Sequence, residues 1–209
     1  MHKPFAIFDM DGTLVASMDC WKGLSLEYLR SHGINEVEPE IIEKIKPMTI
    51  SQSAQLFIEH YHLPGSAESV AGQMNRMMEL HYRQDIPMKP GITELLEQLQ
   101  AEGVEMCVAS ATAKPLMEAC LGRLGVLDKF RFLLSCEEVG FGKDRPDIYL
   151  EAARRLGASP EDSAVYEDAV YAARTAKAAG FCLVAVYDPS SHDRWEELSA
   201  MADYTIKYE

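Results

Sequence analysis

The stretch "FDMDGTL", Phe8 to Leu14, decides the reading of this chain. An apolar, β-prone run from Pro4 leads into it, and two acids one residue apart, Asp9 and Asp11, follow. Carboxylates this close are costly to hold ionised together unless something positive shares the site. Gly12 breaks the run at once, the turn chemistry expected at the carboxyl end of a buried strand. The segment reads as a short buried strand with acids at its tip, and the question is what cation sits between them.

Outward from that strand, the stretch from Ser17 to about Asp85 reads as helices. Trp21, Leu24 and Tyr28 recur at helical spacing, as do Met74, Met77, Met78 and His81. Pro39, Pro47 and "LPGS" at Leu63–Ser66 divide the stretch into four helices. "IPMKPG", Ile86 to Gly91, ends it, since two prolines and a glycine cannot continue a helix. Beyond it the pattern alternates. A helix carrying Ile92, Leu95, Leu96 and Leu99 precedes the strand "VEMCVAS"; a helix over 114–124 precedes the strand "FRFLLS". A helix over 146–156 precedes "SAVYED", and one over 169–179 precedes "FCLVAVY". Strands alternating with helices of this length predict an α/β fold, a Rossmann-like parallel sheet of five or six strands covered on both faces. The helical stretch is then an insertion after the first strand. The expected division is a core of 1–16 and 86–209 and an α-helical cap over 17–85, hinged near 16–18 and 86–90.

At 209 residues, with 47% hydrophobic and 25% charged residues, the chain has the composition of an ordinary globular protein. Its formal charge of -13 argues against a nucleic-acid surface, which needs a basic stripe. A small anionic ligand is not excluded, because such a ligand feels the local site and not the total. The five cysteines are odd in number and never spaced as C-x-x-C, so the expectation is a reducing cytoplasm without disulfides. No signal peptide or membrane-spanning run is read in the sequence. A monomer or weak homodimer is expected.

In open parallel sheets, ligands gather beyond the carboxyl ends of the strands. Those ends carry Asp9 and Asp11, Ser110 after "CVA", and Glu167 with Asp168 after "AVY"; Lys143 precedes the helix at Pro146. Four acids, one hydroxyl and one ammonium converge on one rim. Hard carboxylate oxygens in a partly open site suit Mg²⁺, which keeps some waters and completes its shell with substrate phosphate. Each residue alone also has a bland reading. Aspartates form turns, Ser110 could cap the next helix, and Lys143 could be a solvated surface lysine.

Taken together, these residues resemble the four motifs of the haloacid dehalogenase superfamily. They are "FDMDGTL", Ser110 in "CVASAT", Lys143 in "GKDRPDIY" and Glu167-Asp168 in "VYEDA". The order, the spacing and the helical insertion agree over the whole chain with the branch carrying an α-helical cap. The resemblance implies a Mg²⁺-dependent phosphatase acting on a small phosphorylated metabolite, with Asp9 as nucleophile forming an aspartyl-phosphate. Asp11 would be the acid and base, and Asp9, the backbone carbonyl of Asp11 and Asp168 the metal ligands. Ser110, the backbone N–H of Ala111 and Lys143 would bind phosphate. Glu167 would act on the metal through water, and Gly12 would let the chain turn so that Asp11 points back.

Two departures from the pattern stand out. Asp144 and Arg145 intervene between Lys143 and Pro146, where the family commonly has proline directly; the expectation is that the Asp144 carboxylate competes for the Lys143 charge. Ala169 and Ala172 stand where Ser or Thr and then Gly are usual, which removes one supporting hydrogen bond. Within the superfamily, "VASAT" and "EVGFGK" look most like the β-phosphoglucomutase-like and phosphatase branch. A sugar-phosphate mutase of that branch usually carries a histidine where this chain has Trp21 and an arginine where it has Ile50, so hydrolysis is preferred to mutase chemistry. A non-catalytic phosphometabolite-binding module is the alternative from another class, and it would be expected to lack a motif acid. The loop "EKIKPMTIS", Glu43 to Ser51, with Lys46, and the face of Trp21 are the candidate substrate contacts.

Overall fold

The computed structural model describes residues 3–45 and 47–208 and, at positions 22 and 27, the backbone alone. Lys46, a candidate substrate contact, therefore lies outside the described residues. The chain opens with β1 (Phe5–Phe8), followed by four helices: α1 (Met18–Ser31), α2 (Pro39–Ile45), α3 (Ile50–Tyr61) and α4 (Ala67–Gln84). Then come α5 (Ile92–Ala101), β2 (Glu105–Ser110), α6 (Lys114–Arg123), β3 (Leu133–Ser135) and the short α7 (Cys136–Val139). The rest is α8 (Asp147–Leu156), β4 (Ser163–Glu167), α9 (Val170–Ala178), β5 (Cys182–Val186), α10 (Trp195–Met201) and β6 (Tyr204–Ile206).

The six strands form one parallel sheet in the order β3-β2-β1-β4-β5-β6. This is the doubly wound order in which the chain works outward on one side of β1 and then on the other. β1 lies at the switch, paired to β2 and β4, so the tips of these three strands share one crevice. Alternation along β1 sends Ala6 and Phe8 into one apolar layer with α5 and α6, and Ile7 into the opposite layer with Ile148, Tyr149 and Ala176. A buried strand covered on both faces must be apolar throughout, which is why the run before Asp9 has no polar residue.

The four inserted helices have a cluster of their own, built on Tyr28, Leu29, Phe57, Val70 and Met74. The second half of α4 instead joins the sheet's layer through Met78 and Tyr82, followed by Ile86 just beyond the helix. Thr49 starts α3 with a full capping box, its hydroxyl accepting from the Gln52 N–H while Gln52 returns the bond to the Thr49 N–H. The other boundaries agree with the sequence reading to within a residue or two, but the reading has no counterpart for the short helices α7 and α10, and two strands differ. "FRFLLS" forms a strand only over its last three residues, and β6 had no counterpart in the sequence reading. Among the described residues, no helix is long and apolar enough to cross a membrane.

Candidate active site

Asp9 leaves the end of β1 with its N–H bonded to the Tyr166 carbonyl at 3.0 Å, so the sheet's own ladder fixes its backbone. Its carboxylate is buried, as are Glu167 and Asp168 at the tip of β4, and ligand oxygens of all three lie within 4.8 Å of one another. Lys143 reaches into this cluster from the loop before α8, only 3% exposed. Its ammonium donates to Asp9 Oδ1 and to Glu167 Oε1, the latter at 2.6 Å. Tyr149 donates to the same Glu167 oxygen at 2.7 Å, and Thr13 donates to Asp168 Oδ1 at 3.3 Å.

The charges do not balance. Among the described residues, three buried carboxylates cluster about one ammonium bonded to two of them, an excess of two negative charges that Lys89, itself paired with Asp188, only partly offsets. Burial, followed by the neighbouring carboxylates, pushes Asp9 up to about 8 despite the pull of Lys143. The same causes, burial first and then Asp9 and Glu167, hold Asp168 well above the usual carboxylate range. Burial alone would lower Lys143, but Asp9 and Glu167 override it and raise it. The charged lysine is thus favoured, while burial and like-charge repulsion favour the protonated forms of Asp9 and Asp168 where no cation is bound. The donor set fits a hard divalent ion such as Mg²⁺, because it supplies clustered carboxylate oxygens and an excess of negative charge.

Gly12 turns the chain at φ +84, and a Cβ at this position would stand 2.2 Å from Asp168 Oδ2. The glycine is thus needed both for its backbone conformation and for the space that Asp168 occupies. Its carbonyl accepts from buried Lys89 at 2.5 Å; Lys89 also bonds the Tyr187 carbonyl at 2.7 Å and Asp188 at 2.8 Å. The turn after the first strand is thereby bolted to the loop after β5.

Asp11 stands outside the three-acid cluster, held by partners of its own. Its Oδ1 accepts from Ser17 and, at 2.6 Å, from Tyr82; its Oδ2 accepts from Thr112 at 2.5 Å. Ser110, at the tip of β2, is buried and accepts the Thr112 N–H at 3.1 Å, which leaves its own proton to be donated elsewhere. Ala111 follows, half-buried, in the loop before α6. Trp21 is half-buried and spends its indole N–H on Tyr82 at 2.7 Å. The candidate contact loop lies against the core. A Cβ on Gly142, next to Lys143, would meet the Pro47 carbonyl at 2.3 Å, and Ser51 donates its hydroxyl to Glu137 at 3.0 Å.

Asp9, Lys143, Glu167 and Asp168 come together, Gly12 packs against Asp168, and Ser110 lies at the tip of the neighbouring strand β2. One expectation fails. Asp144 does not compete for Lys143: its side chain is exposed, while the ammonium is held inside by Asp9 and Glu167. Sequence reading missed Tyr82, Thr112, Ser17, Lys89 and Tyr149. The first two reach Asp11 from 71 and 101 residues away, and no spacing rule announces that. Thr13, inside the quoted stretch, was the one with a usable signal.

Residues 5–180 match the family model described as haloacid dehalogenase-like hydrolase. A probable pseudouridine-5'-phosphatase of Drosophila melanogaster is 31% identical over 211 residues, covering 95% of this chain and 90% of that protein. Hexitol phosphatase B of Escherichia coli is 27% identical over 190 residues, covering 90% of this chain and 85% of the relative. Among solved structures, CbbY from Rhodobacter sphaeroides bound to xylulose-(1,5)bisphosphate superposes with a TM-score of 0.85 at 22% identity, covering 98% of this chain and 93% of that one. A β-phosphoglucomutase from Clostridium difficile gives a TM-score of 0.80 at 22% identity, over 99% and 91% of the two chains. The six-stranded doubly wound sheet, the acids and lysine at its crevice and these similarities lead to one conclusion: the chain belongs to the haloacid dehalogenase-like hydrolases.

Proposed function

We propose that this protein is a Mg²⁺-dependent phosphatase that hydrolyses a small phosphomonoester, such as a sugar phosphate, through an aspartyl-phosphate on Asp9. The observation that carries the proposal is the buried Lys143 ammonium bonded to both Asp9 and Glu167 inside an acid cluster with surplus negative charge. Asp9, Asp168 and the backbone carbonyl of Asp11 would hold the ion. When bound, it neutralises charge on the carboxylates and on the phosphoryl oxygens. Glu167 is already engaged by Lys143 and Tyr149, which suits it to act on the ion through water.

The residues divide the work accordingly. Asp9 attacks phosphorus, and Lys143 beside it offsets the repulsion between two anions. Ser110 and the N–H of Ala111 donate to phosphoryl oxygens. Asp11 protonates the departing oxygen, then takes a proton from the water that attacks the phospho-enzyme. The inserted helices, α1 to α4, would serve as the cap: Pro47, between α2 and α3, lies beside Gly142 and Ser51 bonds Glu137, which suits this loop to shield the crevice from bulk water. Trp21 borders the leaving-group side, where its ring can contact substrate. It cannot act as the base a mutase uses there, because its indole N–H only donates. The fly and bacterial relatives are named for phosphorylated nucleosides and hexitols, which supports a phosphorylated polyol or sugar as the substrate class. Five free cysteines fit a reducing compartment such as the cytoplasm.

The test is hydrolysis of an aryl phosphate with and without Mg²⁺, by the wild type and by Asp9→Asn. Metal-dependent turnover by the wild type, and none by the folded variant, is expected. A wild type inactive at every divalent concentration would support the binding-module alternative instead.

A further inference from the structure

Tyr82 stands at the end of α4, fully buried, with its hydroxyl on Asp11 Oδ1 at 2.6 Å. Its backbone is clamped to the core: Arg123 donates to the carbonyls of Tyr82, at 2.8 Å, and Ile86. The hydrogen-bond directions around it are forced. An indole N–H is a donor only, so Trp21 Nε1, 2.7 Å from the Tyr82 oxygen, must give its proton to that oxygen. Tyr82 has a single proton of its own, and of its two other neighbours, the Asp11 carboxylate and the Thr112 hydroxyl, the carboxylate oxygen at 2.6 Å is the stronger acceptor. Ser17 adds a second hydroxyl on the same oxygen, Oδ1. Among the described residues, Oδ2 meets only the Thr112 hydroxyl at 2.5 Å; that hydroxyl also reaches the Tyr82 oxygen, and it can turn to donate or accept.

Resting on the phosphatase reading above, we propose that Tyr82, directed by Trp21, is a positioning residue that fixes the Asp11 carboxylate so that Oδ2 is the oxygen exchanging a proton with the leaving group. Oδ1, facing two donors, is kept as a pure acceptor. Oδ2 carries the proton, with Thr112 turned to receive it or to give way. When the ester bond to phosphorus breaks, that proton passes from Oδ2 to the departing oxygen and Asp11 is left as carboxylate. In the second half-reaction the same oxygen recovers a proton from water as the oxygen–phosphorus bond to Asp9 is replaced. Buried and bonded by Trp21 on one side and Asp11 on the other, the Tyr82 hydroxyl keeps its donor role throughout. Because Tyr82 and Trp21 belong to the inserted helices, the acid of the core is aimed by residues that the insert supplies.

The consequence is selective. An alkyl leaving group is a strong base and needs the proton in the transition state; a nitrophenolate leaves without one. Comparing kcat/KM for glycerol 1-phosphate and p-nitrophenyl phosphate isolates this step, because kcat/KM reports events through the first phosphoryl transfer. Tyr82→Phe keeps the ring and removes only the hydroxyl. It should lower kcat/KM on the alkyl ester at least ~tenfold more than on the aryl ester, a modest part of the range for acid–base catalysis. Trp21→Phe should shift the ratio in the same direction by less, with the melting temperature of each variant checking the fold. An equal loss on both esters, or no loss on either, would overturn the assignment and leave Tyr82 as packing. A wild type that hydrolyses neither ester with Mg²⁺ would instead overturn the phosphatase reading itself.

Discussion

Replacing Gly12 with alanine tests the site at its tightest point. Two separate costs can be worked out. The backbone sits at φ +84, where an L-residue with a Cβ is disfavoured by about 1–2 kcal/mol. The new methyl would also stand 2.2 Å from Asp168 Oδ2 and 2.7 Å from its Cγ. Asp168 must then retreat by about 1 Å or more to restore contact distance, which breaks its 3.3 Å bond from Thr13. Together these give a loss of about 2–4 kcal/mol, or a melting temperature lower by roughly 5–15 °C for a chain of this size. A displacement of about 1 Å in a reacting constellation costs about 100-fold in rate. The assays are thermal unfolding, Mg²⁺ titration followed by stability, and kcat/KM on an aryl phosphate. All three should worsen together, since one carboxylate is moved. A variant melting within 1 °C or so of the wild type and active within about threefold would refute the reasoning, because the turn could then accept a side chain.

Other outcomes follow from the charge imbalance. Lys143→Met removes the one ammonium facing three buried carboxylates, so it should destabilise the metal-free protein by about 3–5 kcal/mol in denaturant unfolding. Asp9→Asn relieves like-charge repulsion, and at pH 8 should leave the metal-free protein at least as stable as the wild type. Because Asp9 is raised to about 8 and Asp168 is raised as well, the folded protein holds protons that the unfolded chain has released. Stability of the metal-free protein should thus fall as pH rises from about 4 to about 8, by on the order of a few kcal/mol, with Mg²⁺ stabilising more at pH 8 than at pH 5. A flat profile would contradict the assignment of surplus protons to this cluster. Lys89→Met should cost about 3–5 kcal/mol, since it strands the buried Asp188 and two carbonyls; adding Asp188→Leu should recover part of it in the same unfolding assay.

Much of this was legible in the sequence for identifiable reasons. β1 could be read because a strand covered on both faces is apolar at every position, and because acids at its tip have no structural use in a core. The inserted helices could be counted because Pro39, Pro47 and the turn at Leu63–Ser66 forbid a continuous helix. β6 could not be read: it is three residues long at the sheet's edge, and Tyr204 and Thr205 are exposed, so no buried pattern marks it. Nor could the early part of "FRFLLS", where Arg131 donates to the Met106 carbonyl and Phe132 accepts from the Val108 N–H of β2 without forming a regular ladder. The rim acids and Lys143 were found because sheet topology dictates that strand tips meet. Tyr82, Thr112 and Lys89 were not, since nothing local distinguishes a helix-end tyrosine that packs from one that holds a catalytic acid. The Asp144 expectation failed because adjacency in sequence was taken for adjacency in space. In the turn at residues 143–144 the lysine is drawn inward by Asp9 and Glu167, while the Asp144 carboxylate stays exposed.

The central claim is that Asp9 becomes phosphorylated during turnover. The most direct measurement is a rapid acid quench of the Mg²⁺-loaded enzyme during hydrolysis of an aryl phosphate, followed by peptide mapping at low pH, where an acyl phosphate survives. The account predicts a phosphoryl group on the peptide containing Asp9, absent from Asp9→Asn. Steady turnover with that peptide unmodified at every quench time, or the group carried on another residue, would contradict it.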